Sequence, residues 1–185
     1  MTDREILQRV TGALERAGIA YMITGSFASS FHGTPRSSQD IDIVIAPTPD
    51  QVQSLVNLLP ATEYYVDLNA ALNALRREGL FNIVDLESGW KIDFIIRKSR
   101  PFSHEEFERR FVADHLGMPL SFATAEDVLI SKLEWAKRSE SNRQLEDAAG
   151  ILRIRSTELD RAYIERWVRE LGLQAQWEAA RRAAR

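Results

Sequence analysis

The sequence predicts an α+β protein: a small mixed β-sheet packed by helices, followed by a helical C-terminal lobe. Three observations carry that expectation. Apolar residues recur at helical spacing in Ile6, Val10 and Leu14, and again in Val52, Leu55, Val56 and Leu59. Short β-rich runs at 41–45 and 92–96 stand between and after those helical stretches. Beyond Pro101 the strand signals give way to helical ones. The core is therefore expected over 1–100 and the helical lobe over 101–185.

Taken in order, Thr2 and Glu5 form a capping box for a first helix of about four turns that stops at Gly18. Residues 21–24 read as a short buried strand, Gly25-Ser26 as a tight turn, and 27–32 as a short helix ended by Gly33. A loop over 34–38 leads into the strand Asp40-Ile41-Asp42-Ile43-Val44-Ile45. Thr48-Pro49-Asp50-Gln51 opens a helix with proline in its first turn, and Pro60 closes it. A helix over 68–78 ends at Gly79. Residues 81–86 and 90–96 flank Glu87-Ser88-Gly89 in the pattern of a β-hairpin, giving about four strands in all. The rest reads as mostly helical. Ser103 caps one short helix, and Thr124 caps a longer one that buries Val128, Leu129, Leu133 and Trp135 or Ala136. Helices over 145–152, 157–171 and 173–184 follow. Trp90 and Trp135 read as core, and Trp167 and Trp177 as helix-packing residues or a partner surface.

Composition narrows the function classes. A length of 185 residues with 44% hydrophobic and 28% charged side chains suits one folded domain with a helical extension. The lack of cysteine excludes disulfides, thiolate zinc sites and thiol nucleophiles, and suits a cytoplasmic setting. No apolar run approaches the roughly 20 residues of a spanning helix, so no membrane role is expected. A net charge of -3 argues against a general nucleic-acid coat. Yet residues 132–185 hold 12 basic and 9 acidic groups, a local +3, which reads either as solvated helix faces or as a surface for a polyanion such as tRNA.

The acidic strand poses the chemical question. Strand side chains alternate, so Asp40 and Asp42 share one face while Ile41, Ile43 and Ile45 share the other. Adjacent carboxylates repel unless a cation lies between them. With no histidine or cysteine nearby, the fitting cation is hard, and Mg²⁺ held jointly by carboxylates and substrate phosphates is the usual form. Asp93, between apolar Ile92 and Phe94, supplies a third carboxylate; Asp85 is its rival, although its place near the hairpin turn suits exposure. Gly25-Ser26 ends a strand and opens a helix, where outward N–H groups and the helix dipole attract anions and the Ser26 hydroxyl adds a donor. A phosphate-binding turn and a carboxylate pair are thus expected to serve one cleft. His32, His104 and His115 have no metal-ligand spacing. His32 is expected to pack near that cleft or to orient Arg36, a candidate triphosphate contact.

The order Gly25-Ser26, Asp40-Ile41-Asp42, Ile92-Asp93-Phe94 resembles the signature of the nucleotidyltransferase fold. That superfamily contains DNA polymerase β, CCA-adding enzymes and antibiotic adenylyltransferases. The resemblance implies that Gly25 and Ser26 hold a nucleoside triphosphate and that Asp40 and Asp42 bind two Mg²⁺ ions. It also implies that Asp93 binds one ion and helps activate the acceptor hydroxyl. More narrowly, His32-Gly33 and Arg36 before the acids, and the run from Thr124 to Leu133, resemble AbiEii-type minimal nucleotidyltransferases, the toxins of bacterial toxin–antitoxin pairs. In that group a lysine on one helix precedes an Arg/Asp cluster on the next; Lys132 matches the lysine, and Arg143, Glu146 and Asp147 fit the cluster loosely. A cognate antitoxin is then implied as partner.

The expected function is transfer of a nucleoside monophosphate from a nucleoside triphosphate to a hydroxyl, with Asp40, Asp42, Asp93 and Lys132 as the catalytic set. The acceptor stays open between tRNA, a protein side chain and a small molecule. Two other classes compete: a non-catalytic nucleotide- or partner-binding module of the same fold, and a metal-dependent nuclease, in which the Gly-Ser turn has no evident task.

Overall fold

The computed structural model describes residues 2–38 and 40–185. The chain forms two compact units, Met1–Ile23 with Gln39–Phe122, and Thr24–Ser38 with Ala123–Arg185. The expected boundary near residue 100 therefore falls inside the first unit, because the chain returns to the sheet once more before the helical segment begins.

The first unit starts with α1 (Asp3–Arg16), where the Thr2 hydroxyl accepts from the Glu5 N–H and the Glu5 carboxylate accepts from the Thr2 N–H. Its stripe of Ile6, Leu7, Val10 and Leu14 is fully buried. After β1 (Tyr21–Thr24) and β2 (Asp40–Ile45) comes α3 (Pro49–Asn57), closed at its start by the same kind of capping box between Thr48 and Gln51. A two-residue strand β3 (Tyr64–Tyr65), α4 (Leu68–Arg76), β4 (Leu80–Asp85), β5 (Lys91–Ile96), α5 (Pro101–Glu108), β6 (Phe111–His115) and β7 (Met118–Phe122) complete it. The sheet runs β3-β4-β5-β2-β1-β7-β6, with β2 parallel to β5 and β1 parallel to β7.

Among the described residues this sheet has seven strands, against the expected four or so. The β6–β7 hairpin lies in a stretch expected to be helical. Its two-residue turn has positive φ at both Leu116 (55°) and Gly117 (74°), the backbone that suits a tight hairpin, and His115 pairs with Met118 across it. A leucine at a position usually taken by asparagine or glycine hid the turn. At α5 the expected cap is also corrected. The helix is led by Pro101 with Arg100 before it, while Ser103 is buried and its hydroxyl accepts from Arg100 Nε at 2.9 Å.

The two faces of the sheet centre differ sharply. Ile41, Ile43 and Ile45 of β2, Ile92, Phe94 and Ile96 of β5, and Phe81 and Ile83 of β4 are buried on one side. Asp40 and Asp42, Lys91 and Asp93, and Asn82 alternate with them and share the other side, half-buried or, for Asp40, exposed. Each fully buried isoleucine contributes roughly 2 kcal/mol, whereas two carboxylates at strand spacing repel by about 1–2 kcal/mol at intermediate dielectric. The apolar face therefore wins, and it imposes the position of the acids.

The second unit holds α2 (Gly25–His32), α6 (Ala125–Ser139), α7 (Asn142–Arg155), α8 (Arg161–Glu170) and α9 (Gln174–Ala183). Thr124 caps α6 as expected, accepting from the Asp127 N–H. Of the two alternatives for its buried face, Ala136 is inside and Trp135 is 49% exposed, beside Arg138. α8 begins later than expected because Asp160 caps it through the Tyr163 N–H. Trp167 and Trp177 are buried and pack helices. Among the described residues no helix is long and apolar enough to cross a membrane.

One close approach organises this unit. A Cβ on Gly33 would lie 2.8 Å from the Ile151 nitrogen and 2.9 Å from the Gly150 carbonyl carbon, both backbone atoms of α7. Gly33→Ala is expected to cost about 1–3 kcal/mol by overpacking. Gly12, in the middle of α1 with nothing within 4 Å of its would-be Cβ, is the contrast. Gly12→Ala is expected to stabilise by about 0.5–1 kcal/mol. Urea unfolding of the two variants checks both signs.

Candidate functional site

The register of β2 and β5 sets Asp42 directly opposite Asp93 and Asp40 directly opposite Lys91. On the far side of β5, Asn82 of β4 lies opposite Asp93. The three expected acids are thus gathered on two neighbouring strands of one sheet face, with a lysine and an amide that the sequence reading passed over. Lys91 Nζ donates to Asp93 Oδ2 at 2.8 Å, and the two side chains are 40% and 15% exposed. The Asp93 hydrogen bond, helped by the charges of Asp93, Asp40 and Asp42, raises the Lys91 ammonium above its ordinary pKa against the effect of desolvation. The other carboxylate oxygen, Asp93 Oδ1, is buried without a hydrogen-bond partner.

Asp85 does not compete for this place. It alternates with Val84, which faces Lys91, and so lies on the opposite side of β4. It is 1% exposed, not solvated as expected, and its Oδ1 accepts from the Ser88 N–H at 2.8 Å and the Ser88 hydroxyl at 2.6 Å, closing the hairpin turn.

The donors on the acid face, three carboxylates and one amide, are all hard oxygens, and the orphaned Asp93 Oδ1 is an unsatisfied acceptor among them. That set fits a cation of the Mg²⁺ type. Among the described residues, however, no three His, Cys, Asp or Glu side chains are drawn together tightly enough to form a ready-made metal cage. Asp93 is turned toward Lys91 instead.

Gly25 and Ser26 open α2 immediately after β1, the sheet neighbour of β2. Gly25 has φ of 62°, a conformation that glycine adopts without strain, and the Thr24 side chain makes no capping bond to the helix start. Ser26 is buried, and its hydroxyl donates to Ser38 Oγ at 3.0 Å. A helix start that follows a glycine in this way lets an anion approach the backbone closely.

Arg36 and Lys132 meet at Asp147, in the second unit. The guanidinium reaches both carboxylate oxygens, Nε to Oδ1 at 3.0 Å and Nη2 to Oδ2 at 3.1 Å, and Lys132 Nζ donates to Oδ2 at 2.7 Å. Lys132 is 4% exposed. Burial pushes the Asp147 carboxyl up, but the hydrogen bonds from Arg36 and Lys132 outweigh it and hold it below the usual range. Arg143 and Glu146, the other loose matches, are exposed, and Glu146 pairs with Arg153 at 3.9 Å. His32 is buried and its Nε2–H donates to the Ala123 carbonyl at 2.8 Å; burial lowers its pKa, which favours the neutral ring. Arg36 is oriented by Asp147, a partner 111 positions away that local spacing gave no means of finding.

No protein-family model and no curated protein sequence matches the chain. Solved structures do. The crystal structure of ANT(2")-Ia in complex with adenylyl-2"-tobramycin superposes with a TM-score of 0.61 at 13% identity, covering 96% of this chain and 99% of that one. The solution structure of the antibiotic-resistance factor ANT(2'')-Ia gives 0.58 at 12% identity, over 96% and 94%. An antigenic nucleotidyltransferase-like protein from Paracoccidioides brasiliensis gives 0.57 at 15%, over 93% and 89%. The chain has the nucleotidyltransferase fold.

The cluster makes a pH-dependent contribution to stability. The folded pKa of Asp147 lies below the unfolded value of about 3.9, so its contribution is complete above that value and is lost as pH falls through the folded pKa. Asp147→Asn should lower stability at pH 7 by about 3 kcal/mol, because the buried Lys132 ammonium loses this carboxylate. The gap between variant and wild type should narrow on acidification below about pH 4, as measured by thermal unfolding across a pH series.

Proposed function

We propose that the chain is a Mg²⁺-dependent nucleotidyltransferase that moves a nucleoside monophosphate from a nucleoside triphosphate to a hydroxyl acceptor. The observation that carries this reading is the Asp42–Asp93 pairing across β2 and β5, with Asp40 two residues before Asp42 on the same face. Asp40, Asp42 and Asp93 hold two Mg²⁺ ions, and Gly25 and Ser26 hold the β- and γ-phosphates. Arg36 contacts the triphosphate, and Lys132 completes the catalytic set. When bound, divalent ions neutralise the triphosphate and make the attacking hydroxyl more acidic. Asp93 accepts the hydroxyl proton. The hydroxyl oxygen bonds to the α-phosphorus, the bond from that phosphorus to the bridging oxygen breaks, and pyrophosphate leaves with the electron pair.

Two readings of the acceptor have support. The ANT(2")-Ia complex contains adenylyl-2"-tobramycin, and its chain is matched almost end to end. That favours ATP as donor and a small-molecule hydroxyl as acceptor. The contact of Lys132 with Asp147 joins the lysine and the acid that resemble AbiEii-type motifs. That favours the toxin of a toxin–antitoxin pair, acting in the cytoplasm on tRNA or a protein and held by a cognate antitoxin. The basic excess of residues 132–185 suits RNA.

Incubation with each α-labelled nucleoside triphosphate, Mg²⁺ and either an aminoglycoside or a cell lysate tests the proposal. A labelled acceptor with release of pyrophosphate is expected, and its chemistry selects between the readings. Asp42→Ala should reduce turnover by at least about a thousandfold with an unchanged circular dichroism spectrum, since a metal site contributes several kcal/mol at the transition state. Tight triphosphate binding with no turnover in the wild type would make the protein a binding module.

A further inference from the structure

Lys91 is a charge that the proposed transfer does not use. An exposed lysine beside an aspartate on the same strand is ordinarily worth less than about 1 kcal/mol and needs no function. Its surroundings here are different. Lys91, Asp93, Asp40 and Asp42 form a two-by-two patch on adjacent strands, with three acids and one base, and Lys91 sits directly across from Asp40. Its ammonium binds one oxygen of Asp93, while the other is buried without a partner. A carboxylate held in this way is half satisfied. The Lys91 side chain is 40% exposed, so it can leave Asp93 for solvent without moving the backbone.

Resting on the metal-binding reading of the acid face, we propose that Lys91 is a displaceable counter-ion. Its ammonium neutralises Asp93 in the metal-free protein and gives up Oδ2 when a divalent cation enters, so that the lysine sets how tightly the acids take metal. It offsets the charge of Asp93 on the sheet face, and it opposes metal entry by its own charge. Lys91 is thus a positioning residue: it touches the acid that holds the ion and not the reacting atoms.

The test is Mn²⁺ binding, followed by electron paramagnetic resonance on the full chain without nucleotide. Lys91→Met and the second neutral variant Lys91→Gln should bind Mn²⁺ about tenfold more tightly than wild type, because a unit charge a few ångströms from the ion is removed. Lys91→Arg, which keeps the charge, should bind like wild type. In EDTA both neutral variants should melt below wild type, and saturating Mn²⁺ should close that gap, a response that a lysine serving only as surface would not produce. Unchanged or weaker Mn²⁺ binding by both neutral variants would overturn the role of Lys91 while leaving the acid face as a metal site. Failure of wild type and variants alike to bind Mn²⁺ would overturn both.

Discussion

Like charge held on neighbouring strands is the constraint around which the first unit is arranged. Asp42 and Asp93 face one another across β2 and β5, and nothing in the intrinsic preference of a β-sheet favours that pairing. The opposite side of the same strands enforces it. Ile41, Ile43, Ile45, Ile92 and Phe94 are almost fully buried, so slipping either strand by one residue would expose its apolar set and bury its acids. The register that protects the core is therefore the register that gathers the carboxylates. Stability and site are set by the same alternation, read from opposite faces.

In the second unit a single helix face has the corresponding role. Asp147, Gly150, Ile151 and Arg155 fall at helical spacing on α7, and each meets the segment from His32 to Arg36. Gly33 lies against the Gly150–Ile151 backbone, Thr34 crosses Gly150, Arg155 donates to the His32 carbonyl, and Arg36 grips Asp147. Small residues allow the close approach, and the approach aligns the long polar side chains. Lys132 enters the same carboxylate from α6, so three elements converge on one charge.

Much of this was legible in the sequence, and what was not has physical reasons. The Thr2 capping box, the helix start at Thr48-Pro49, the β4–β5 hairpin and the acidic strand follow from local chemistry with short periods, and all appear where expected. Alternation alone put Asp40 and Asp42 on one face; only the strand order shows that Asp93 is the neighbour of Asp42 and that Asp85 points away. The β6–β7 hairpin escaped because Leu116 adopts a backbone that leucine rarely takes, so the turn lacked its usual residues. Lys91 escaped for a different reason. A lysine two residues before an aspartate is common, and its meaning arises from Asp40 on another strand, some 50 residues away. Arg36 was noticed as a cation, but its partner is set by tertiary packing that no periodicity reports.

Each unit holds charges of one sign together with a counter-charge from its own chain. On the sheet face of the first, Lys91 Nζ donates to Asp93 Oδ2 on the face that also carries Asp40 and Asp42. In the second, the Asp147 carboxylate stands between the Arg36 guanidinium and the Lys132 ammonium. The same attraction stabilises the charged form of both partners, so the Lys91 ammonium is held above its ordinary pKa and the Asp147 carboxyl below its own. Partial neutralisation of this kind lets like charges stay together in a folded chain, because a charge taken from water without a partner costs far more than one that is paired and hydrogen-bonded.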